Sequence, residues 1–178
     1  MNLSILFILQ CWGIEGGILF LSEIGSAPII GVHYLVEINN KLLIRESINY
    51  WRRKYNEKEE TSSKECVFSS LAFVETAFLE LGKWNIKLRV GPGIGIYLLK
   101  NYVKEKNTYE NWIITDYYCL NSTSIGFHIE WGISSNFNQF PISTGVRTGI
   151  ILLTPSEKNL FYTRGDLKEV AYLVNISF

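Results

Sequence analysis

The chain has 178 residues, 17 Lys plus Arg against 17 Asp plus Glu, and 47% apolar and 14% aromatic residues. That length suffices for one domain with a sizeable core, and the balanced charge argues against a broad basic surface for nucleic acid. The apolar and aromatic content excludes a disordered chain, and no run approaches the ~20 apolar residues of a membrane-crossing helix.

The N-terminal stretch "MNLSILFILQCWGIEGG" holds a short apolar run, Leu3 to Leu9. Residues 1–16 are read as a degenerate or truncated export signal, although no Lys or Arg precedes the run. The other reading, in which the run opens a strand or belongs to a tail, stays open. "ILQC" makes a poor lipoprotein site, because Gln10 is large where a small residue is needed. The cysteines Cys11, Cys66 and Cys119 form no CxxC pair, so a zinc site is not expected.

From residue 17 onward the apolar pattern has a period of two, the mark of strands with two unlike faces. Strands are predicted at about 17–26, 31–39, 42–52, 67–81, 86–99, 124–136, 141–153 and 168–178. "GVHYLVEI" sets Val32, Tyr34, Val36 and Ile38 against His33, Leu35 and Glu37. "FSSLAFVETAFLEL" alternates less cleanly and reads as a strand facing either way or carrying a bulge. "KLRVGPGIGIYL" opposes Val90, Ile94, Ile96 and Leu98 to Arg89, Gly91, Gly93, Gly95 and Tyr97. "SIGFHIEWGIS" alternates Ile125, Phe127, Ile129, Trp131 and Ile133 with Gly126, His128, Glu130 and Gly132. "PISTGVRTGIIL" repeats the theme, and the chain ends "VAYLVNISF" with Tyr172, Val174, Ile176 and Phe178 on one face.

Short connections at 39–41, 82–84 and 136–140 alternate with long polar ones at 52–65, 100–123 and 154–167, which hold most of the charge. All the short ones then fall at one end of an all-β, eight-stranded antiparallel up-and-down transmembrane β-barrel, with short periplasmic turns and longer outer loops. A soluble eight-stranded carrier of the lipocalin kind also alternates, but its polar face meets water and is crowded with Lys, Glu, Thr and Gln. Here that face is mostly Gly and Ser with single charges, which suits the narrow interior of a small barrel. The bulky apolar face then points outward to lipid. The soluble carrier of a small ligand is the alternative reading.

Enclosed charges need partners. Arg45, Lys87, Arg89 and Arg147 are expected to answer Glu23, Glu37, Glu75 and Glu130, with His128 beside them near Glu37 or Glu75, as a closed polar plug. Tyr50, Trp51, Trp84, Tyr97, Trp131, Phe140 and Tyr172 lie in or near strand ends, where interfacial girdles enrich aromatics.

The ending "VAYLVNISF" resembles the terminal signal of bacterial outer-membrane barrels. "LAFVETAFLEL", "LRVGPGIGIYLL", "SIGFHIEWGISSNF" and "FPISTGVRTGIILL" resemble the fourth to seventh strands of the small OmpX-like and opacity-like barrel families. The resemblance covers residues 17–178 as one outer-membrane barrel domain. It implies a bacterial outer-membrane location, contact with membrane lipid, and assembly by the barrel-assembly machinery through Tyr172 and Phe178. It also implies a structural or adhesin-like role carried by the outer loops.

In those loops Tyr109, Trp112, Tyr117 and Tyr118 are the candidates for contact with an extracellular protein or glycan, since loops on a rigid scaffold carry recognition. Cys66 and Cys119 sit at outer strand edges and could tie two loops as a disulfide. "GPGIG" at 91–95 is no nucleotide loop, because Ile96 stands where GxGxxG needs its last glycine. No cofactor and no metal are expected. A lipid-modifying outer-membrane enzyme is the lesser alternative. It is disfavoured because His33 and His128 lack the His-x-Ser arrangement of lipid A deacylases, Leu35 and Glu130 standing in the serine places. The chain is therefore read as no enzyme.

Overall fold

The computed structural model describes residues 9–39, 41–56, 61–82, 86–109, 112–137, 140–160 and 163–178; the side chains of 9, 54–56, 61–68, 103–109, 112–118, 120, 136–137, 140 and 159–160 are outside the description. The strands, in chain order, are β1 (Leu9–Leu21), β2 (Gly25–Glu37), β3 (Leu42–Asn56), β4 (Thr61–Leu81), β5 (Ile86–Tyr109), β6 (Trp112–Phe137), β7 (Phe140–Leu152) and β8 (Leu167–Ser177). A short helix, α1 (Pro155–Leu160), lies between β7 and β8. Each strand pairs antiparallel with its sequence neighbours, and β8 pairs back onto β1 to close the barrel. Closure leaves no sheet edge in the wall, which is what permits strands to cross lipid.

The pairing can be followed around from Cys11 through Leu35, Arg45, Phe73, Gly93, His128, Gly149 and Glu169. It returns to β1 at Leu21, ten residues farther along. That stagger tilts the strands by ~40° and gives an interior just wide enough for side chains. The turns after β2, β4 and β6 mark one end of the barrel, here called the inner end. The C-terminus lies there too, and the Phe178 N–H donates to the Trp12 carbonyl at 2.8 Å.

The period of two places the faces as expected. Phe127, Ile129 and Trp131 point outward and are 49%, 47% and 54% exposed, with Ile18, Ile30, Ile94 and Val174 beside them in an apolar band. This is the reverse of a soluble carrier. Tyr172 and Phe178 also face outward. The irregularity foreseen in the fourth strand is real: the register of β4 against β5 shifts between Cys66 and Phe68 and again between Ala77 and Leu79.

Four expectations about the strands and the cysteines need correction. The first strand starts at Leu9, not 17, so the second half of the stretch read as a leader is barrel wall; residues 1–8 lie outside the described residues. The second strand starts at Gly25, not 31. "GSAPII" is strand, and the turn is at 22–24, where Glu23 adopts φ 63°. Pro28 is tolerated there because the β2–β3 pairing stops at Ile29, so its missing N–H costs that ladder nothing.

The segments 52–65 and 100–123 are largely strand as well. β3 runs on to Asn56, β4 starts at Thr61, and β5 and β6 pair out to Tyr109 and Trp112. Finally, Cys119 carries a free thiol. Cys66 lies opposite Leu99 on one side of β5 and Cys119 opposite Tyr102 on the other. Two strand spacings, roughly 10 Å, separate them, beyond disulfide reach.

Candidate functional site

The enclosed face of the wall divides the interior into two layers. Toward the outer end it is apolar: Leu19, Leu21, Ala27, Ile29, Trp51, Leu99, Ile151, Leu153 and Leu167 form one buried cluster. The segment between β7 and β8 covers that cluster. Thr154 and Glu157 form a reciprocal capping box at the start of α1: the Thr154 N–H donates to Glu157 Oε2 at 2.6 Å, and the Glu157 N–H donates to Thr154 Oγ1 at 3.4 Å. Ser124 Oγ on β6 donates to Glu157 Oε1 at 3.2 Å and ties the helix to the wall. Trp51 and Tyr97, expected in an interfacial girdle, belong to this interior and are 1% exposed. Their parity puts them on the enclosed face with Asn49 and Gly95. Trp84 and the Phe140 side chain lie outside the description.

Deeper in, toward the inner end, the filling becomes ionic. Arg45 projects from β3 and meets three carboxylates from three strands: Glu15 at 3.5 Å, Glu75 at 2.9 Å and Glu130 at 2.5 Å. Its guanidinium lies 4.9 Å from the centre of the Phe73 ring. Arg147 on β7 pairs with Glu169 on β8 at 2.6 Å and with the other oxygen of Glu15 at 3.8 Å, so Glu15 bridges the two arginines. The Asn175 amide joins them, its nitrogen toward Glu15 Oε2 and its oxygen toward Arg45 Nη1, each at 3.2 Å. All of these groups are buried.

Both histidines point into the interior. His128 Nε2 is 2.7 Å from Tyr97 Oη, which also donates to Glu169 Oε2 at 3.3 Å. Its hydrogen-bond partner is therefore Tyr97, with Glu169 behind it, and not Glu37 or Glu75. His33 Nε2 is 2.9 Å from Ser177 Oγ. Among the described residues no side chain meets His33 Nδ1, so nothing orients this pair as a catalytic triad would. Glycines make room for these rings. A Cβ at Gly149 would collide with the His128 ring, and one at Gly13 with the His33 ring and the Ile176 carbonyl.

At the inner mouth, Glu37 on β2 faces Lys87 and Arg89 on β5 at 3.4 and 3.6 Å, and Arg89 Nε donates to Ser134 Oγ at 3.1 Å. A cavity of about 90 Å³ opens there, lined by these groups and by His33, Arg45, Glu75, Glu130, Ser143 and Ser177.

Of the enclosed network expected from sequence, Glu37, Arg45, Glu75, Lys87, Arg89, His128, Glu130 and Arg147 face this interior. Glu23 does not. It is exposed in the β1–β2 turn at the outer end, where Oε2 accepts from the Arg164 N–H at 2.7 Å. Shifting the first strand moves Glu23 out of the wall altogether. The residues missed were Glu15, His33 and Glu169. Glu15 fell in the stretch assigned to a leader. Glu169 shares the parity of Asn175 and Ser177, a signal that was present. The side chains of Tyr109, Trp112, Tyr117 and Tyr118 lie outside the description, and their backbones are in the far ends of β5 and β6.

No family model and no curated protein sequence matches this chain. Solved structures do. Ail, the attachment invasion locus protein of Yersinia pestis, in complex with the heparin analogue sucrose octasulfate, is similar at TM-score 0.55 and 14% identity, over 94% of this chain and 96% of that one. A second Ail structure gives TM-score 0.52 at 12% identity, over 94% of each chain. Neisserial surface protein A aligns over 95% of this chain and 97% of its own at 18% identity and TM-score 0.48. The fold is that of the small outer-membrane β-barrels. At this level of identity it is the fold that is shared, a closed eight-stranded antiparallel barrel.

Proposed function

We propose that this chain is an integral outer-membrane protein that recognises a ligand at the cell surface, without enzymatic activity. One observation carries the reading. β3 to β6 outrun the other strands and continue past the outer rim as a sheet: β4 pairs with β5 as far as Thr61 opposite Lys104, and β5 with β6 as far as Tyr109 opposite Trp112. β7 meets β6 only from Ile125 onward, so among the described residues the 112–124 stretch of β6 pairs on one side alone. A projecting sheet with an open edge is a surface that can engage a partner. The apolar exterior supports insertion in the bilayer, and the outward-facing Tyr172 and Phe178 suit contact with lipid and with an assembly machine. Ail, bound to a heparin analogue, makes a sulfated glycan the first ligand class to try, with Tyr109, Trp112, Tyr117 and Tyr118 as contact candidates. Both histidines are turned away from the lipid-facing surface, which favours recognition over lipid modification.

The test is to shorten the projecting hairpin by joining Tyr102 to Cys119 through a two-residue turn. The barrel is expected to keep its heat-modifiable gel mobility, while cells displaying it lose binding to immobilised heparin. Undiminished binding by a folded, shortened barrel rejects the reading.

A further inference from the structure

We propose that the inner mouth of the barrel is a binding site for a small oxyanion, a phosphate or a carboxylate, gripped by Arg89. Arg89 is 7% exposed, and its Nη1 has no hydrogen-bond partner among the described residues. A buried guanidinium nitrogen without an acceptor is costly and normally matched. The rest of the group is already committed: Nε donates to Ser134 Oγ, and Nη2 lies 3.6 Å from Glu37 Oε1. Lys87 Nζ lies 3.4 Å from the same carboxylate oxygen, so Glu37 is shared between two cations. Glu75 and Glu130 also line the cavity, but each is paired with Arg45, at 2.9 and 2.5 Å.

The cavity beside these groups holds about 90 Å³, enough for one compact anion with its water. Arg89 Nη1 carries two N–H donors and offers them, with the guanidinium charge, to an oxygen of such an anion. Ser134, which accepts from Arg89 Nε, keeps its hydroxyl proton free to donate to another oxygen. Access is from the inner end. The Lys87 and Glu37 side chains are 15% and 23% exposed there, whereas the outer end is filled by the apolar cluster. The site is separate from the outer sheet, so either can fail without the other.

The test uses the full chain refolded in detergent micelles, titrated calorimetrically with sodium phosphate and separately with sodium acetate. One saturable equivalent of at least one anion is expected, and the tighter of the two identifies the oxyanion class. Arg89→Gln is expected to weaken it roughly tenfold or more, the loss of charge-assisted bonds, while Lys168→Gln at the outer rim leaves it unchanged. Should Arg89→Gln fail to fold, the guanidinium NMR signals of the wild-type protein report instead, with Arg89 expected to shift on titration. Absence of saturable binding of both anions overturns the site. So does affinity indifferent to Arg89→Gln, or an Arg89 signal that stays still at saturation.

Discussion

The inner half of the lumen is filled by Arg45, Arg147 and the glutamates around them, the outer half by Leu19, Trp51, Leu71, Leu99 and Leu167. Both fillings close the same narrow cylinder, but they fail differently when disturbed. An apolar layer loses in proportion to the volume removed. An ionic layer loses little if replaced as a whole by apolar groups of the same shape, and much if one partner is taken and its opponents stay charged.

The largest effect is expected from Arg45→Met, which strands Glu15, Glu75 and Glu130 together. A loss of about 3–5 kcal/mol in denaturant unfolding is predicted, with partial recovery on adding Glu130→Gln. A loss under about 1 kcal/mol would remove the ion pairs from the account of stability. Leu71→Ala, in the outer layer, should cost about 2–4 kcal/mol and show no recovery with Glu130→Gln; coupling between them would erase the division into two layers. Gly149→Ala forces a Cβ against the His128 ring and the Phe127 carbonyl and should cost about 1–3 kcal/mol, only part of it regained with His128→Ala.

Glu46 turns the contrast outward. It faces away from the lumen between Ile44 and Ile48, where its Oε1 accepts from Ser70 Oγ at 3.3 Å. Glu46→Leu should stabilise the protein in bilayers by about 1 kcal/mol, opposite in sign to removal of an enclosed glutamate such as Glu130 in an otherwise wild-type lumen.

The smallest effect concerns Asp166, outside the wall. The Leu153 N–H, at 3.0 Å, and then Lys158, at 3.1 Å, hold its carboxyl below the usual range. A depressed value contributes stability above the unfolded value that is lost as pH falls through the folded one. Hydrogen exchange at the Leu153 amide should therefore show increased opening in acid, and Asp166→Asn should abolish that pH dependence.

Much of this architecture is legible in strings such as "SIGFHIEWGIS". Outward residues must be greasy and inward ones small or charged, so parity alone decides the face of Phe127 or Glu130. Parity does not supply length or starting point. A strand that leaves the membrane keeps its ladder but loses its apolar rows, so the polar stretches "RRKYNEKEE" and "KNYVKEKNTYENW" read as loops although their flanks stay paired. The first hairpin was misplaced because "GSAP" carries the residues of a turn, whereas the turn at 22–24 puts a glutamate, Glu23, at positive φ. Partner choice was equally opaque: Glu15 and Arg45 meet across the lumen through the stagger, which no local pattern encodes.

The uneven strands have a last consequence. β1 and β2 turn back at 22–24, while β5 and β6 climb to Tyr109 and Trp112. The crown of the molecule is therefore a slope and not a level ring. A sloped crown gives the barrel a heading in the plane of the membrane. An object descending on the cell strikes one flank first, and a neighbour crowding that flank shields it far more than one pressed against the low side.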